Sequence, residues 1–180
     1  MKMTYFIVAI WVTSTIIISG CAVGDDDYYN SASLDVAPAT NQSYREECGD
    51  CHMAYQPGLL PVRSWKQIMS NLDNHFDENA ELELPLRQQL TDYLIRNAAD
   101  HSDYKRSKAM IRSLSYNDIP LRISETRYFL RKHDELPARV VQHNPEVKSF
   151  SRCEVCHTQA DKGSYNEHQI RIPGFGKWED

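Results

Sequence analysis

Cys48-Gly49-Asp50-Cys51-His52 and Cys153-Glu154-Val155-Cys156-His157 are two copies of one pattern, Cys-x-x-Cys-His, and the reading of the whole chain turns on them. The spacing suits covalent attachment of a c-type haem, in which two thioethers hold the edge of the macrocycle while the histidine binds the iron. On a helix, cysteines at i and i+3 share a face with a histidine at i+4. Ser43 with Glu46, and Ser151 with Glu154, read as capping boxes that start a helix ahead of or within each motif, and Gly163 offers a stop for the second.

The chain of 180 residues is 41% hydrophobic, 25% charged and 10% aromatic, with a mean hydropathy of -0.58. That is a modest apolar supply for one small globular domain or two lobes sharing cofactors. Two porphyrins would add apolar surface around which such a core can form. All five cysteines have an assignment: four lie in the motifs, and Cys21 ends an export signal, so no thiol is left for a disulfide framework. The net charge of -5, with no basic aromatic stripe, argues against a nucleic-acid partner. An acidic carrier is expected to meet redox proteins through a basic patch on the other molecule.

Residues 1–20 read as a lipoprotein signal peptide, with Lys2 ahead of an apolar run and Ile18-Ser19-Gly20-Cys21 as a lipobox that makes Cys21 the lipidated N-terminus. Acyl chains on Cys21 would hold the protein at a membrane, facing the periplasm, and Ala22 directs it to the outer membrane. Residues 21–42 read as a flexible acidic tether. Residues 43–100 form a first haem lobe, 101–117 a charged, solvated connector, and 118–180 a second haem lobe.

The class expected is all-α, a small helical cytochrome c in two lobes with long irregular loops. Within it, Ser64 with Gln67 opens a helix carrying Trp65, Ile68, Met69, Leu72, His75 and Phe76 on one face. Pro85 starts another helix, and Ser124 caps a third that ends at His133. The tail, 170–178, reads as irregular.

His52 and His157 are the proximal ligands on this reading, and each iron needs a sixth position. A distal ligand must lie on a face that also covers the apolar macrocycle, which favours His75 and His133 over the polar surroundings of His101 and His168; His143, beside a turn, is held in reserve. Met110 is a weaker candidate. Pairing His75 with His52, and His133 with His157, gives two bis-histidine haems, low-spin and without an open site. The competing reading is a haem enzyme, peroxidase- or reductase-like, with one displaceable ligand. Thiol exchange through Cys48 and Cys51 lacks a βαβ context, and a zinc module would have to bridge two distant cysteine pairs.

The chain resembles a family of bacterial dihaem cytochromes c, partners of an oxygen-binding monohaem cytochrome. The residues that carry the likeness are Tyr44 to Cys48 with Cys51-His52, Tyr55 to Pro61, Trp65, Leu72 with His75-Phe76, and Tyr93-Leu94 with Asn97 to Asp100. They continue through Arg122-Ile123, Glu125-Thr126, His133, Val147 to Ser149, Cys153 to His157, and Arg171 to Pro173. Asp77 and Tyr128 depart from the pattern, where glycine and tryptophan are usual. The resemblance implies electron transfer through two bis-histidine haems, with an oxygen-binding cytochrome c and a membrane cytochrome b as partners.

Overall fold

Short helices separated by long loops carry most of the chain, and the loops follow from its prolines, asparagines and aspartates. The computed structural model describes residues 34–178. Its helices are α1 (Gln42–Gly49), α2 (Val62–Met69), α3 (Leu84–Arg96), α4 (Lys105–Arg112), α5 (Arg127–Lys132) and α6 (Cys153–Cys156). Single 3₁₀ turns lie between successive helices from α1 to α5, and two more follow α6. The class is all-α. In the tail, expected to be irregular, β1 (Arg171–Ile172) and β2 (Gly176–Lys177) pair as a small antiparallel hairpin.

Several helix starts differ from the sequence expectation, each for a local hydrogen-bonding reason. Asn41, rather than Ser43, caps α1, because its side chain accepts the Tyr44 N–H at 2.8 Å. Thr126, rather than Ser124, caps α5 by accepting the Phe129 N–H. Ser64 lies buried inside α2, and the first N–H of that helix, on Val62, donates instead to the Asp100 carboxylate at 2.6 Å. Pro85 stands in the first turn of α3, as expected. Ser151 does not cap α6, which begins after Arg152 and lasts only four residues. Gly163 is left-handed as expected of a stop, but it ends a separate turn, Ala160–Lys162.

The expected run of α2 through Phe76 also stops early, at Met69. A 3₁₀ turn, Leu72–Asn74, then delivers His75, after which Phe76 and Asp77 turn the chain with φ of 56° and 74°. Aspartate tolerates that region where most residues do not.

Three apolar clusters hold these pieces together. Trp65, Met69 and Leu72 pack on Leu90, Tyr93, Leu94 and Tyr44, with Cys48 at the edge. Val140, Val141, Val147 and Ile172 form a second cluster, which Phe150 and Cys156 join. The third contains Val36, Leu59 and Met110. Met110 corrects the expectation of a solvated connector, since Ser107 and Met110 make one face of α4 buried.

Val36 corrects the end of the tether in the same way. The stretch 34–41 is a docked strap: the Asp35 and Val36 N–H groups donate to the Gly163 carbonyl at 2.9 and 3.1 Å, and Val36 and Ala39 are buried. The signal peptide, Cys21 and the tether up to residue 33 lie outside the described residues. A Cβ at Gly163 would stand 2.2 Å from the Val36 carbonyl oxygen, whereas one at Gly174 would meet nothing within 4 Å; both glycines have positive φ, 82° and 75°. The strain of a left-handed alanine is therefore common to Gly163→Ala and Gly174→Ala, and the collision belongs to the first alone. In thermal or denaturant unfolding, Gly163→Ala should cost more by roughly 1–3 kcal/mol, and equal losses would mean that the strap is not seated on Gly163.

Candidate haem sites

Both motif histidines lie just beyond a helix, not on it. The α1 helix closes at Gly49 with Asp50 as its cap, leaving Cys51 and His52 in the following turn. His157 caps α6, and its N–H bonds back to the Cys153 carbonyl at 2.8 Å. The expected helical i, i+4 placement of each histidine thus gives way to a final turn that swings the imidazole off the helix end.

Each motif histidine faces one of the histidines proposed as its distal partner. The His52 and His75 ring centres are 6.3 Å apart with planes inclined at 29°. Those of His133 and His157 are 6.1 Å apart with planes at 77°. His101, His143 and His168 are exposed, and among the described residues no ring contact joins them to a motif histidine.

Two of the four imidazoles, those of His52 and His133, are held from behind. His52 Nδ1–H donates to the Met53 carbonyl at 2.8 Å, and Tyr55 stacks on the same ring at 4.7 Å. His133 Nδ1–H donates to the Phe129 carbonyl at 2.9 Å, with the Phe129 ring stacked 3.8 Å away. A carbonyl can only accept, so in both rings the proton sits on Nδ1 and the Nε2 lone pair is left for a metal. The Nδ1 of His157 is buried with no partner.

Burial, rather than neighbouring charge, sets the acid–base state of these groups. It pushes His157 down to about 4, with the His133 and Arg106 charges adding to the effect. It also lowers His133, and it lowers His75, where His52 and Arg122 act in the same direction. The thiols move the other way: burial raises Cys48 to about 11 and Cys153 to about 12, and Cys156 rises for the same reason. Thiols so far from ionisation are unsuited to disulfide exchange.

The second pair opens on a cavity of about 510 Å³, lined among others by Cys153, Cys156, Phe129, Phe150, Val140 and Ile172. Cofactor sites span about 300–1,000 Å³ and are largely apolar. His75 borders a smaller groove of about 270 Å³ with Phe76 and Arg122, and Cys51 is exposed. The first site is therefore the more open.

The family model "Dihaem cytochrome c" matches residues 44–165. This chain belongs to the dihaem cytochrome c family. A dihaem cytochrome c from Shewanella baltica is similar at 42% identity, covering 77% of this chain and 98% of that one, with a TM-score of 0.65. One from Rhodobacter sphaeroides is similar at 44% identity, covering 72% and 100%, with a TM-score of 0.65. A comparison with curated proteins finds no match.

The family carries two c-type haems, and the residues here fit them. A metal–imidazole bond is about 2 Å long, so an iron between two imidazoles sets their ring centres roughly 6 Å apart, the spacing of both pairs. Among the described residues no group of three or more His, Cys, Asp or Glu side chains could hold a bare metal ion. Two protein nitrogens per site suffice only if a macrocycle supplies the other ligands. Cys48 and Cys51 would anchor one haem and Cys153 and Cys156 the other, while the four imidazoles would fix the irons.

Sequence reading had left the orienting carbonyls unnamed and had missed Tyr55, Tyr165 and Arg106 as parts of these sites. Only the resemblance drew attention to Tyr55, and the charge-dense surroundings of Arg106 suggested a solvated surface.

Burial sets the order in which acid should release imidazoles that hold iron. A histidine lowered below its ordinary 6.5 is neutral and able to ligate above its folded value, and the unfolded or released imidazole takes up the proton first. Stability supplied by the pair is thus complete near neutrality and is lost as pH falls from about 6.5 toward and below the folded value. Were His75 and His157 to hold the irons, the less buried His75 would let its haem turn high-spin at a higher pH than the haem of His157. Two resolved steps in an absorbance titration, with His75→Ala removing the earlier one, would bear this out; a reversed order would contradict it.

Proposed function

We propose that this dihaem cytochrome c carries single electrons through two low-spin bis-histidine haems, ligated by His52 with His75 and by His157 with His133. The supporting observation is the spacing of 6.3 and 6.1 Å between facing imidazoles, which leaves each iron no vacant position. When bound, each haem supplies reversible one-electron chemistry at iron. The protein's part is to keep the imidazoles neutral, aimed and shielded, so that a change of redox state requires little rearrangement. A peroxidase or reductase would instead need a displaceable ligand with acid–base groups beside it, and we read the protein as a carrier, not an enzyme.

Tyr55 and Gln56 join the two sites. The Tyr55 ring stacks on His52, while its hydroxyl donates to the carbonyl of Ser151, two residues before Cys153. Gln56 is fully buried; its amide donates to the Ala160 carbonyl, and its oxygen accepts the hydroxyl of Tyr165, whose ring lies 5.3 Å from His157. Such a linkage favours a fixed distance between haems and hence efficient passage of the electron. Outside partners would exchange electrons at the more open first site.

Replacing either distal ligand tests the reading. His75→Ala and His133→Ala should each turn one haem high-spin and create one carbon monoxide site per reduced chain, against none in the parent. Strong carbon monoxide binding by the parent would favour the enzyme.

The lipobox supports a lipid-anchored, periplasm-facing protein at the outer membrane, and the net charge of -5 supports partners with a basic docking face. An oxygen-binding monohaem cytochrome c and a membrane cytochrome b are the partners we favour. Among the described residues no helix is long and apolar enough to cross a membrane. Cys21→Ser should move the haem-loaded protein from the membrane fraction to the soluble one, and an unchanged membrane fraction would remove the lipid anchor from the account.

A further inference from the structure

Arg106 and Asp35 stand out among the charged residues that line the larger cavity. Lys105, Arg131, Lys132, Asp134, Glu135, Arg152 and Glu167 also line it, but all seven are solvent-exposed. Arg106 and Asp35 are only 19% and 23% exposed at the side chain, and they pair at 3.1 Å. Water and salt screen exposed charges but screen sheltered ones much less.

Both partners are fixed from several directions. The Arg106 guanidinium donates to the Tyr128 hydroxyl at 3.0 Å and the Tyr165 carbonyl at 3.3 Å, and it lies over the rings of Tyr165 and Tyr128 at 5.1 and 5.8 Å. Its Nε is buried without a partner. The second oxygen of Asp35 accepts the Tyr165 N–H at 2.7 Å, and the backbone of Asp35 is tied to Gly163. Tyr165 in turn packs 5.3 Å from the His157 ring. An arginine is charged at any working pH, so the cavity carries a permanent positive charge on one wall with a carboxylate set against it.

We propose that this charge pair sets the reduction potential of the second haem, Arg106 raising it and Asp35 restraining it. Reduction adds one electron to the iron and its porphyrin; a nearby cation stabilises that added charge and a nearby carboxylate opposes it. Asp35 belongs to the strap 34–41, outside the matched span 44–165, so an element beyond the family model contributes to the electronics of the site. The first site has its own arginine, Arg122, 3.9 Å over the Phe76 ring, but its side chain is 45% exposed and its field is correspondingly screened. The two haems therefore differ in electrostatic setting as well as in enclosure.

The inference rests on a haem occupying this cavity, which the absorption spectrum of the loaded protein checks separately: two haems per chain must be present in every variant compared. Spectroelectrochemical titration of the haem-loaded parent, Arg106→Gln, Asp35→Asn and Arg122→Gln then decides it. Arg106→Gln should lower one of the two midpoint potentials, Asp35→Asn should raise the same one, and Arg122→Gln should leave that one in place. Opposite signs are what loosened packing cannot produce. Arg106→Lys keeps the charge and should restore most of the shift, and with Asp35→Asn it decides the matter if Arg106→Gln loads haem poorly. Unmoved potentials, or shifts of the same sign in Arg106→Gln and Asp35→Asn, would overturn the proposal.

Discussion

Two imidazoles about 6 Å apart do not attract one another enough to stay there, and the architecture is arranged around maintaining that gap. Rings that face one another across such a gap must be secured by groups other than each other. The Phe129 carbonyl and ring do this for His133, and the Met53 carbonyl with the Tyr55 ring does it for His52. Beside one pair the chain also keeps a cavity of about 510 Å³. An open apolar volume is destabilising, since its walls lose contacts that close packing would provide. The low apolar content of the chain and the presence of this cavity thus have one explanation, a macrocycle that takes the place of missing core side chains.

The same constraint explains why the histidines leave the helices. A helical residue's side chain follows the direction of its turn, so two imidazoles on packed helices would meet at an angle set by helix crossing. His75, His133 and His157 instead stand at the ends of short turns or helices, with backbone ψ of 85°, 13° and 86°. There the backbone can aim each ring individually. The result is two pairs of different geometry, near-parallel at 29° and steep at 77°. If each pair holds an iron, ring orientation would influence the splitting of its d orbitals, and the two centres need not be spectroscopically alike.

How much of this was legible in the sequence depends on the range of the interaction concerned. The paired motifs disclosed the cofactor because covalent attachment requires fixed local spacing, and apolar periodicity singled out His75 and His133, whose rings face His52 and His157. The α3 start at Pro85 was equally plain, since proline's constraint is intrinsic to the residue. Caps were harder: Ser43, Ser64, Ser124 and Ser151 all have capping chemistry, but Asn41, Asp100 and Thr126 supply the bonds seen at α1, α2 and α5. Choosing among several suitable side chains takes tertiary context. Arg106 was the least legible, because an arginine in a charged stretch differs from its neighbours only through Asp35, Tyr128 and Tyr165, all remote in sequence.

That remoteness also shows how the parts of the molecule depend on one another. Tyr165 donates its hydroxyl to Gln56, its N–H to Asp35 and lends its carbonyl to Arg106, while its ring faces His157. One side chain and its backbone thereby join the loop between the sites, the N-terminal strap, α4 and the second haem motif. Partial burial limits the water competing for these bonds, which strengthens them but makes an unpaired member costly. A network of this kind resists small displacements, and for an electron carrier that is an advantage: distances and fields that scarcely change between redox states leave little structure to reorganise when the charge moves.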